Sequence, residues 1–399
     1  MSMTLQILFW ILILFILHTY LLYPVIMYAL HRIFHKKHPE YNPDEFPFIY
    51  VVFSAFNEER VIEEKLRSIF LSNYPADRYR VYVGSDCSTD KTDELISRFC
   101  SLHTQLVFLP GSVRRGKSGV VNSLLDDVRT HAHQNGHTDS LVILTDANVL
   151  FTPDLLFELS RLFSDTRVGQ VAARILNRGV GDGITVQEST YIRMESKLKE
   201  FEGDVFGAMQ GAFGACYAIR LPLIPDIPSN FMMEDFYISM HVLHRGYKAL
   251  ARMSAICYED LPSDIMEEYK RKRRISAGNW QNISVFWPIL FRPGALAFCF
   301  LSHKVLRWIT PFFLLILAPV LFVLSFSSSF YFVCLLLFIF LCMTPLMERS
   351  LNSNGFSVSI LRYPAYFMMM QWALLDGFFW YLRGISGGGW TPTKRNLQA

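Results

Sequence analysis

The feature that most constrains this chain is the run of four branched apolar residues Leu141–Leu144, which ends abruptly in Thr145-Asp146-Ala147-Asn148. Such a run is typical of a strand buried on both faces of a sheet. In open α/β sheets, ligands bind just beyond the carboxyl ends of the strands. An acid at that point predicts contact with a cation, most simply a divalent metal that carries a phosphate. The alternative is that Asp146 begins a turn or caps the next helix.

The segment from Phe46 to about Arg252 alternates short β-branched runs with amphipathic stretches. Helical spacing of apolar residues predicts helices over residues 57–71 and 91–99. The predicted strands are 49–53, 80–83, 106–109 and 141–144. Alternation of this kind predicts an α/β domain with a mostly parallel sheet and helices on both faces.

Two further predicted strands also end in polar residues. Asn57 and Glu58 follow the first strand, and Asp86 follows the second. Because the carboxyl ends of parallel strands meet at one edge, we expect these side chains and Asp146 to converge where a nucleotide would lie. Each of them could be only a helix cap, as Asp90 looks to be, but three at one edge make capping alone a poor explanation.

Charged clusters elsewhere add to this pattern. Arg114–Gly119 offers cations and backbone amides suited to a phosphate, although it does not match a P-loop, and a solvated basic loop is the alternative. Glu234 and Asp235 open a predicted helix, where paired acids often only complement the helix dipole. Five bases at 270–274 precede an apolar segment and would suit anionic lipid headgroups or a diphosphate.

The N-terminal end is an apolar segment. The chain is 51% hydrophobic, more than an ordinary soluble enzyme, and its charges are concentrated between residues 32 and 285. Leu5 to about Leu30 is long enough to cross a bilayer of about 30 Å, and it has the flanks of an uncleaved anchor. The bases that follow it, including Lys36 and Lys37, predict a cytosolic flank. A net charge of +3 without a basic stripe gives no support to nucleic-acid binding.

The C-terminal end is also apolar. Val305–Leu324 and Phe330–Leu346 predict a helical hairpin, and a third segment, about Tyr363–Leu382, contains Asp376. An acid at membrane depth usually faces a protein interior or a water-filled path. The alternative is that Asp376 lies near the membrane interface. Three crossings would leave the C-terminal bases outside, against the positive-inside rule, so the last segment is re-entrant or the rule is overridden. Those bases are Lys394 and Arg395.

We therefore predict an integral, multi-pass membrane protein with a soluble domain on the cytosolic face. The predicted divisions are an N-terminal anchor (1–32), an α/β domain (45–285), an interfacial amphipathic segment (286–304), a C-terminal transmembrane region of about three helices (305–385) and a tail (386–399).

The ordered set of motifs resembles membrane-bound glycosyltransferase family 2. In chain order the motifs are Phe56-Asn57-Glu58, Ser85–Asp90, Gly116-Lys117, Thr145–Asn148, Glu234-Asp235 and the arginine-rich block. The resemblance covers about residues 48–285 and extends to Trp390-Thr391-Pro392. It implies a GT-A (Rossmann-like) fold and an inverting transfer from a nucleotide sugar, usually a UDP-sugar, assisted by Mg²⁺ or Mn²⁺.

The resemblance also implies roles at the donor. The residues it places there are Asn57, Glu58, Asp86, Lys117, Asp146, Arg273 and Arg274. Asp86 would contact the base, and the two arginines would meet the diphosphate from the membrane side. Asp146 would ligate the metal. The second acid of the usual D-x-D motif is Asn148 here, so the site has one fewer negative charge and would bind its ion more weakly.

On the acceptor side, Asp235 resembles the general base, with Glu234 beside it, and the segment that begins at Gly211 resembles the acceptor lining. Asp235 can serve only if the fold brings it close to the acceptor hydroxyl. Processive synthases of this family carry a Q-x-x-R-W motif, but Ile275 stands where its Trp would be. Trp280 could replace it only if the helix presents it inward. This departure argues against processive polymerisation, not against sugar transfer.

Three hypotheses follow. The first is a transferase that acts on a lipid-linked or membrane-proximal glycan acceptor at the cytosolic membrane face. The second is a processive synthase that translocates its product, for which about four membrane segments form a thin pore wall unless the chain oligomerises. The third is a catalytically silent scaffold that binds a nucleotide sugar. Asp146 and Asp235 argue against the third, because a scaffold needs neither a metal ligand nor a base.

Overall fold

The computed structural model describes residues 2–34, 46–178, 184–259, 265–353 and 358–385. The chain divides into two compact units. The described residues within Met27–Ser263 form most of one unit, here called the sheet unit. Those within Met1–Ile26, Asp264–Pro293 and Ala297–Gly384 form the other, here called the helical unit.

The sheet unit contains one eight-stranded sheet with the order β3-β2-β1-β4-β7-β6-β8-β5. Its strands are β1 (Ile49–Ala55), β2 (Tyr79–Ser85), β3 (Leu106–Leu109), β4 (Leu141–Thr145), β5 (Leu150–Phe151), β6 (Val168–Asn177), β7 (Cys216–Arg220) and β8 (Lys248–Glu259). The predicted strands correspond to β1 to β4, whose bounds agree with the sequence within two residues. The later strands were not predicted.

The sheet is mixed, with more parallel than antiparallel pairings. Parallel pairings join β1 to β2, β1 to β4, β2 to β3 and β6 to β8. Antiparallel pairings join β7 to β4 and β6, and β5 to β8. Strands β1 to β4 therefore place their carboxyl ends at one edge, as the first half of the sequence predicts.

The described residues form thirteen α-helices across the two units, and those between β1 and β8 in the chain pack on the sheet around an apolar core. The helices are α1 (Ser2–Leu17), α2 (Tyr23–Phe34), α3 (Ile62–Phe70), α4 (Thr92–Cys100), α5 (Gly116–Gln134), α6 (Leu155–Ser160), α7 (Ile184–Phe206), α8 (Glu234–His244), α9 (Ile265–Phe286), α10 (Ala295–Cys299), α11 (Leu306–Ser325), α12 (Ser329–Ser353) and α13 (Ser359–Leu382). Residues of α3 and α4 pack on β1 and β2 in one buried cluster, for which Ile62, Leu66, Ile69 and Ile96 supply fully buried side chains. Every residue of β4 is buried, as its apolar run predicts.

Helix α3 begins at Ile62, five residues after the start predicted from apolar spacing. The reason is local, because Asn57 adopts a φ of +54°, a left-handed conformation that cannot belong to a helix. The residues before Ile62 instead make hydrogen bonds with the segment that follows β2.

Three stretches of helix are long and apolar enough to cross a membrane: Met3–Phe34, Ala295–Ser325 and Ser329–Leu351. The first runs through α1 and α2 with a π-helical turn at His18–Leu22. The second begins at Ala295, inside the segment predicted to be interfacial, and passes through a π-helical turn at Phe300–Val305 before α11. Helix α13, predicted as a third C-terminal crossing, is not among the three stretches.

Asp376 on α13 has partners within the helical unit. Its Oδ2 lies 3.0 Å from Nε of Arg273 on α9 and accepts a hydrogen bond from the Tyr269 hydroxyl at 3.3 Å. The two helices approach closely here, since a Cβ on Gly377 would lie 2.4 Å from the Arg273 carbonyl oxygen. Asp376 therefore contacts protein, while its side chain is 37% exposed, and its position relative to a membrane stays a prediction. Lys36, Lys37, the Trp390 motif, Lys394 and Arg395 lie outside the described residues.

Candidate functional site

The loops that follow β1 and β2 hold each other through polar contacts. The Asn57 backbone N–H donates to the Ser88 hydroxyl at 3.2 Å, and its side-chain Oδ1 accepts from the Thr89 backbone N–H at 2.8 Å. The Glu58 backbone N–H donates to the Thr92 hydroxyl at 2.9 Å. These contacts explain the left-handed Asn57, because its side chain bridges the two loops. Asp90, interpreted as a cap, accepts from the Thr92 backbone N–H at 3.0 Å, at the start of α4.

Asp86 holds the start of α5. Its carboxylate accepts hydrogen bonds from the backbone N–H of Arg115 at 2.6 Å and of Gly116 at 3.2 Å, and it lies 3.5 Å from the Arg114 guanidinium. The basic segment that sequence analysis offered as a phosphate loop is therefore a helix start. Its first two amides bind a carboxylate of the protein, so the helix dipole and its orphan donors are already complemented there. The contact between Asp86 and a base stays a prediction.

Lys117, in the first turn of α5, joins two acids that are far apart in the chain. Its ammonium lies 2.7 Å from Oδ1 of Asp146 and 2.6 Å from Oε1 of Glu234. Although burial opposes its charge, these two carboxylates raise the pKa of Lys117, so it is a cation at neutral pH. The structure thus brings the acid after β4 and the acid at the start of α8 to one point.

Asp235 is the buried member of the pair that opens α8. It is 9% exposed, and its Oδ1 accepts from the Phe236 backbone N–H at 2.7 Å. Burial, with the neighbouring Glu234 carboxylate, raises the pKa of Asp235 to about 6, against the opposing charge of Lys117. A carboxyl with this pKa changes its charge close to neutral pH, which is what a general base needs.

Two clefts open at this edge of the sheet, and Lys117 lines both. The first is also lined by Ser54, Glu58, Asp146, Ala147 and Asn148. The second is also lined by Val52, Val121, Leu144, Thr145, Gly214, Tyr217, Ile227, Glu234 and Asp235. Predicted donor residues and the predicted base therefore face neighbouring parts of one edge, although their elements are separated by about 90 residues of chain.

Two glycines let the backbone pass close to Asp235. Gly211 has a φ of +75°, and a Cβ there would lie 2.4 Å from Cδ2 of Phe236, the next residue after Asp235. A Cβ on Gly214 would lie 3.0 Å from Oδ2 of Asp235 itself. The segment that begins at Gly211 therefore contacts the base and its neighbour, and its role in lining an acceptor stays a prediction.

The ligand set for a metal is small. In the part of the chain that the structure describes, no group of three or more His, Cys, Asp or Glu side chains could hold an ion. Asn148 is 8% exposed, and its Nδ2 donates to Glu259 Oε1 at 3.5 Å. Magnesium-like ions often bind through one or two carboxylates plus substrate phosphates. Asp146 therefore fits an ion that arrives with a diphosphate better than one held by the protein alone.

Lys65, on α3, is a residue that sequence analysis did not single out. Its side chain is fully buried, and its ammonium donates to Thr145 Oγ1 at 3.0 Å and to the Val149 carbonyl oxygen at 2.6 Å. Burial lowers the pKa of Lys65 to about 7. The signal in the sequence was a lysine between Ile62 and Leu66, on the apolar face of the predicted helix.

The remaining predicted site residues belong to the helical unit. The Arg273 guanidinium, besides its contact with Asp376, lies 5.0 Å from the centre of the Trp380 ring. The Trp280 ring packs with Phe312 and Phe378, at 5.9 and 4.7 Å between ring centres. Arg274 follows on the same helix, α9. Their roles toward a diphosphate or an acceptor stay predictions.

Comparison with solved structures agrees with the fold. A mannosyltransferase from Pyrobaculum calidifontis, solved in complex with GDP-Man and Mn²⁺, superposes with a TM-score of 0.68 at 21% identity, over 94% of this chain and 99% of that one. The chain therefore has the α/β GT-A-like fold that the sequence predicts.

Sequence comparison points the same way. A probable glycosyltransferase of Bacillus subtilis, YdaM, is 23% identical over 82% of this chain and 80% of its own length. A β-monoglucosyldiacylglycerol synthase of Nostoc is 28% identical over 32% of this chain, and one of Synechocystis is 23% identical over 61%. The aligned regions make up 26% and 50% of those two synthases.

Two family models cover most of the chain between the strand β1 and the helix α12. The model of glycosyl transferase family 2 matches residues 50–222, and that of glycosyl transferase family group 2 matches residues 141–347. The matched regions contain the strand-end motifs, the Lys117 bridge and Asp235. The chain belongs to glycosyltransferase family 2 and uses a nucleotide-sugar donor.

Proposed function

We propose that this glycosyltransferase moves a sugar from a nucleoside diphosphate sugar, with inversion, and that Asp235 is the general base. The observation that carries this proposal is the buried Asp235 carboxyl, which lines a cleft next to Lys117 and has a pKa of about 6. Direct displacement needs a base that takes the proton of the acceptor hydroxyl in the transition state. It also needs charge stabilisation at the departing diphosphate.

The donor diphosphate would lie at the Asp146 side of this edge. Asp146 would ligate a divalent metal there, with phosphate oxygens completing its coordination, and Asn148 would lie beside it. When bound, the metal neutralises the charge that develops on the leaving diphosphate. The Mn²⁺ and GDP-Man in the similar mannosyltransferase structure support this proposal. Lys117 would add a second cation at the same place, because its ammonium is already held between Asp146 and Glu234.

The other strand-edge residues would receive the nucleoside. Asn57 and Glu58 would border it, and Asp86 would contact its base. As the family resemblance implies, Arg273 and Arg274 would bind the diphosphate. The choice between UDP and GDP is left to the experiment, since family resemblance favours UDP and the similar solved structure holds GDP-Man.

We propose a lipid-linked or membrane-proximal acceptor and a multi-pass protein with its sheet unit in the cytosol. Two observations support this: the three apolar helical stretches, and relatives named as β-monoglucosyldiacylglycerol synthases. A lipid acceptor would reach the base most easily if the reaction takes place at the membrane surface, where apolar helices keep the enzyme.

The decisive experiment is a donor and acceptor screen with the full-length protein in detergent. UDP-glucose, UDP-N-acetylglucosamine, UDP-galactose and GDP-mannose would be incubated with diacylglycerol or total lipid extract, with Mn²⁺ or with EDTA. We expect release of nucleoside diphosphate from one donor, a glycolipid product by mass spectrometry, and loss of both in EDTA. Nucleotide-sugar binding without turnover of any donor would favour the silent scaffold. Polymeric product would favour the processive synthase.

A further inference from the structure

Lys65 bonds both ends of the segment that carries Asp146 and Asn148. This segment, here called the β4–β5 loop, comprises Thr145, the last residue of β4, and residues 146–149. The Lys65 ammonium donates to the side chain of Thr145, at its first residue, and to the carbonyl oxygen of Val149, at its last. One side chain of α3 therefore spans the loop from the core side.

Packing alone does not account for a lysine at this position. A buried ammonium loses its hydration, which is costly unless hydrogen bonds replace it. Besides its two hydrogen bonds, Lys65 lies 3.9 Å from the ring centre of Phe151 and 5.4 Å from that of Phe53. A methionine would fill much the same space without the cost of burying a charge, but it would leave the Val149 carbonyl oxygen without this donor.

Among the described residues the loop has further contacts: the Lys117 ammonium binds the Asp146 carboxylate at 2.7 Å, and the Asn148 amide donates to Glu259 at 3.5 Å. The Asp146 backbone N–H donates to the Ala215 carbonyl oxygen at 3.2 Å, and the Thr145 hydroxyl donates to the same oxygen at 2.7 Å. The Val149 N–H donates to the Asp146 carbonyl oxygen at 3.2 Å, which closes the turn on itself. Lys65 adds the tie to α3: it fixes the two ends of the loop, whereas Lys117 binds the carboxylate itself.

We infer that Lys65 is a positioning residue for the divalent metal and the donor diphosphate. It ties the two ends of the β4–β5 loop together, and so holds the Asp146 carboxylate where the ion is bound. Lys65 acts through Asp146 and does not touch the substrate. This inference rests on the proposed metal-assisted binding of the donor at Asp146.

The test compares K65M with I69V in full-length protein. Both substitutions change a fully buried side chain of α3, but Ile69 has no hydrogen bond to the loop. UDP and GDP binding would be titrated calorimetrically with Mn²⁺ and with EDTA, and thermal unfolding would be followed without ligand. We expect K65M to lose roughly 10-fold to 100-fold of the Mn²⁺-dependent part of the affinity, the range for groups that orient a metal ligand. Binding in EDTA should change little, and I69V should bind like the wild type. The melting temperature of K65M should fall by a few degrees, because the Val149 carbonyl oxygen loses its donor.

Each result decides the inference. If the nucleotide affinity of the wild-type protein does not depend on Mn²⁺, the proposed metal-assisted donor binding is wrong, and the inference fails with it. Mn²⁺-dependent wild-type binding that K65M retains in full would overturn the inference alone. If K65M does not fold, T145V decides, because it removes the hydroxyl that accepts from Lys65 and also donates to Ala215. We expect T145V to weaken Mn²⁺-dependent binding selectively, and unchanged binding would overturn the inference.

Discussion

The two halves of the sheet build the candidate site in different ways. In the N-terminal half, β1 to β4, all pairings among the strands are parallel, and the polar residues follow the strands directly. In the C-terminal half, β5 to β8, strand β7 runs antiparallel to both of its neighbours. There the site residues are Asp235, at the start of α8, and the segment that begins at Gly211, before β7.

The difference appears in two aspartates. Asp146 follows β4, its side chain is 32% exposed, and a single lysine binds it. Asp235 is buried, and its pKa is raised to about 6. The same carboxyl group is suited to ligate an ion where it reaches solvent, and to take a proton where burial disfavours its charge. The parallel half therefore supplies an accessible, charged carboxylate at Asp146. The other half buries the Asp235 carboxyl and so raises its pKa.

The largest effect should come from Asp235. We expect D235N to keep donor binding and to reduce transfer by roughly two to four orders of magnitude, the span for loss of a positioned acid–base group. The wild-type transfer rate should also fall with decreasing pH below about 6, where Asp235 becomes protonated. Steady-state rates between pH 5 and pH 8 would measure both effects. E234Q is the control. A larger loss of transfer in E234Q than in D235N would mean that Asp235 is the wrong acid for the base.

The same variant tests the burial of that carboxylate. The folded-state pKa of about 6 lies above the ordinary value of 3.8, so the ionised form costs stability above pH 6 and the cost disappears as the pH falls toward 4. D235N should therefore be more stable than the wild type at pH 7.5, and this advantage should be absent at pH 4. Thermal unfolding at pH 7.5 and pH 4 would show it. If Asp235 only capped the helix, D235N would instead be slightly less stable, because asparagine caps as well as aspartate but lacks its charge.

The next effect concerns the parallel half. D146A should weaken Mn²⁺-dependent nucleotide binding by about 100-fold or more, because even groups that only orient a metal ligand contribute roughly 10-fold to 100-fold. Calorimetry with Mn²⁺ and with EDTA would measure it, with D86N as a comparison at the neighbouring strand end. Unchanged Mn²⁺-dependent affinity in D146A would exclude Asp146 as the metal ligand, and the comparison between the two aspartates would then fail.

A smaller effect should follow at Gly211. G211A places a methyl group within 2.4 Å of the Phe236 ring, so Phe236 and the adjacent Asp235 must shift. We expect roughly tenfold slower transfer, within the range for small misplacement of a reacting group. G136A is a matched control, because Gly136 has a similar φ of +71° with nothing within 4 Å of its Cβ position. G136A should lose only about 1 kcal/mol of stability from the left-handed backbone. Equal transfer rates for the two variants would mean that the contact between a Cβ at Gly211 and Phe236 does not affect catalysis.

The smallest effect should come from Asn148. Its amide donates to Glu259, so N148D sets two carboxylates about 3.5 Å apart and should lower the melting temperature without metal by a few degrees. Added Mn²⁺ should stabilise N148D more than the wild type, since a second anionic oxygen strengthens a hard-cation site. Thermal unfolding with increasing Mn²⁺ would show whether the side chain faces the ion. Equal stabilisation of both proteins would exclude Asn148 from the metal site.

The first half of the sheet was predictable because its information is local. Strands β1 to β4 are short apolar runs, and each ends where its polar residue begins. The strands β5 to β8 were missed. Strand β7 joins the sheet antiparallel between β4 and β6, and that order depends on contacts between distant segments. The helix α3 was predicted too long because the bridge made by Asn57 to Thr89 lies between loops 32 residues apart.

By itself, the amino-acid sequence determined the α/β class, the apolar ends and which residues stand at the strand edge, because strand alternation, hydropathy and turn chemistry act over a few residues. Only the tertiary structure decided that Lys117 joins Asp146 to Glu234, that Asp86 binds the start of α5 and that Lys65 lies under the β4–β5 loop. It also decided the pKa of Asp235. Burial and ion pairing depend on what surrounds a side chain in space, and those neighbours come from segments far apart in the chain.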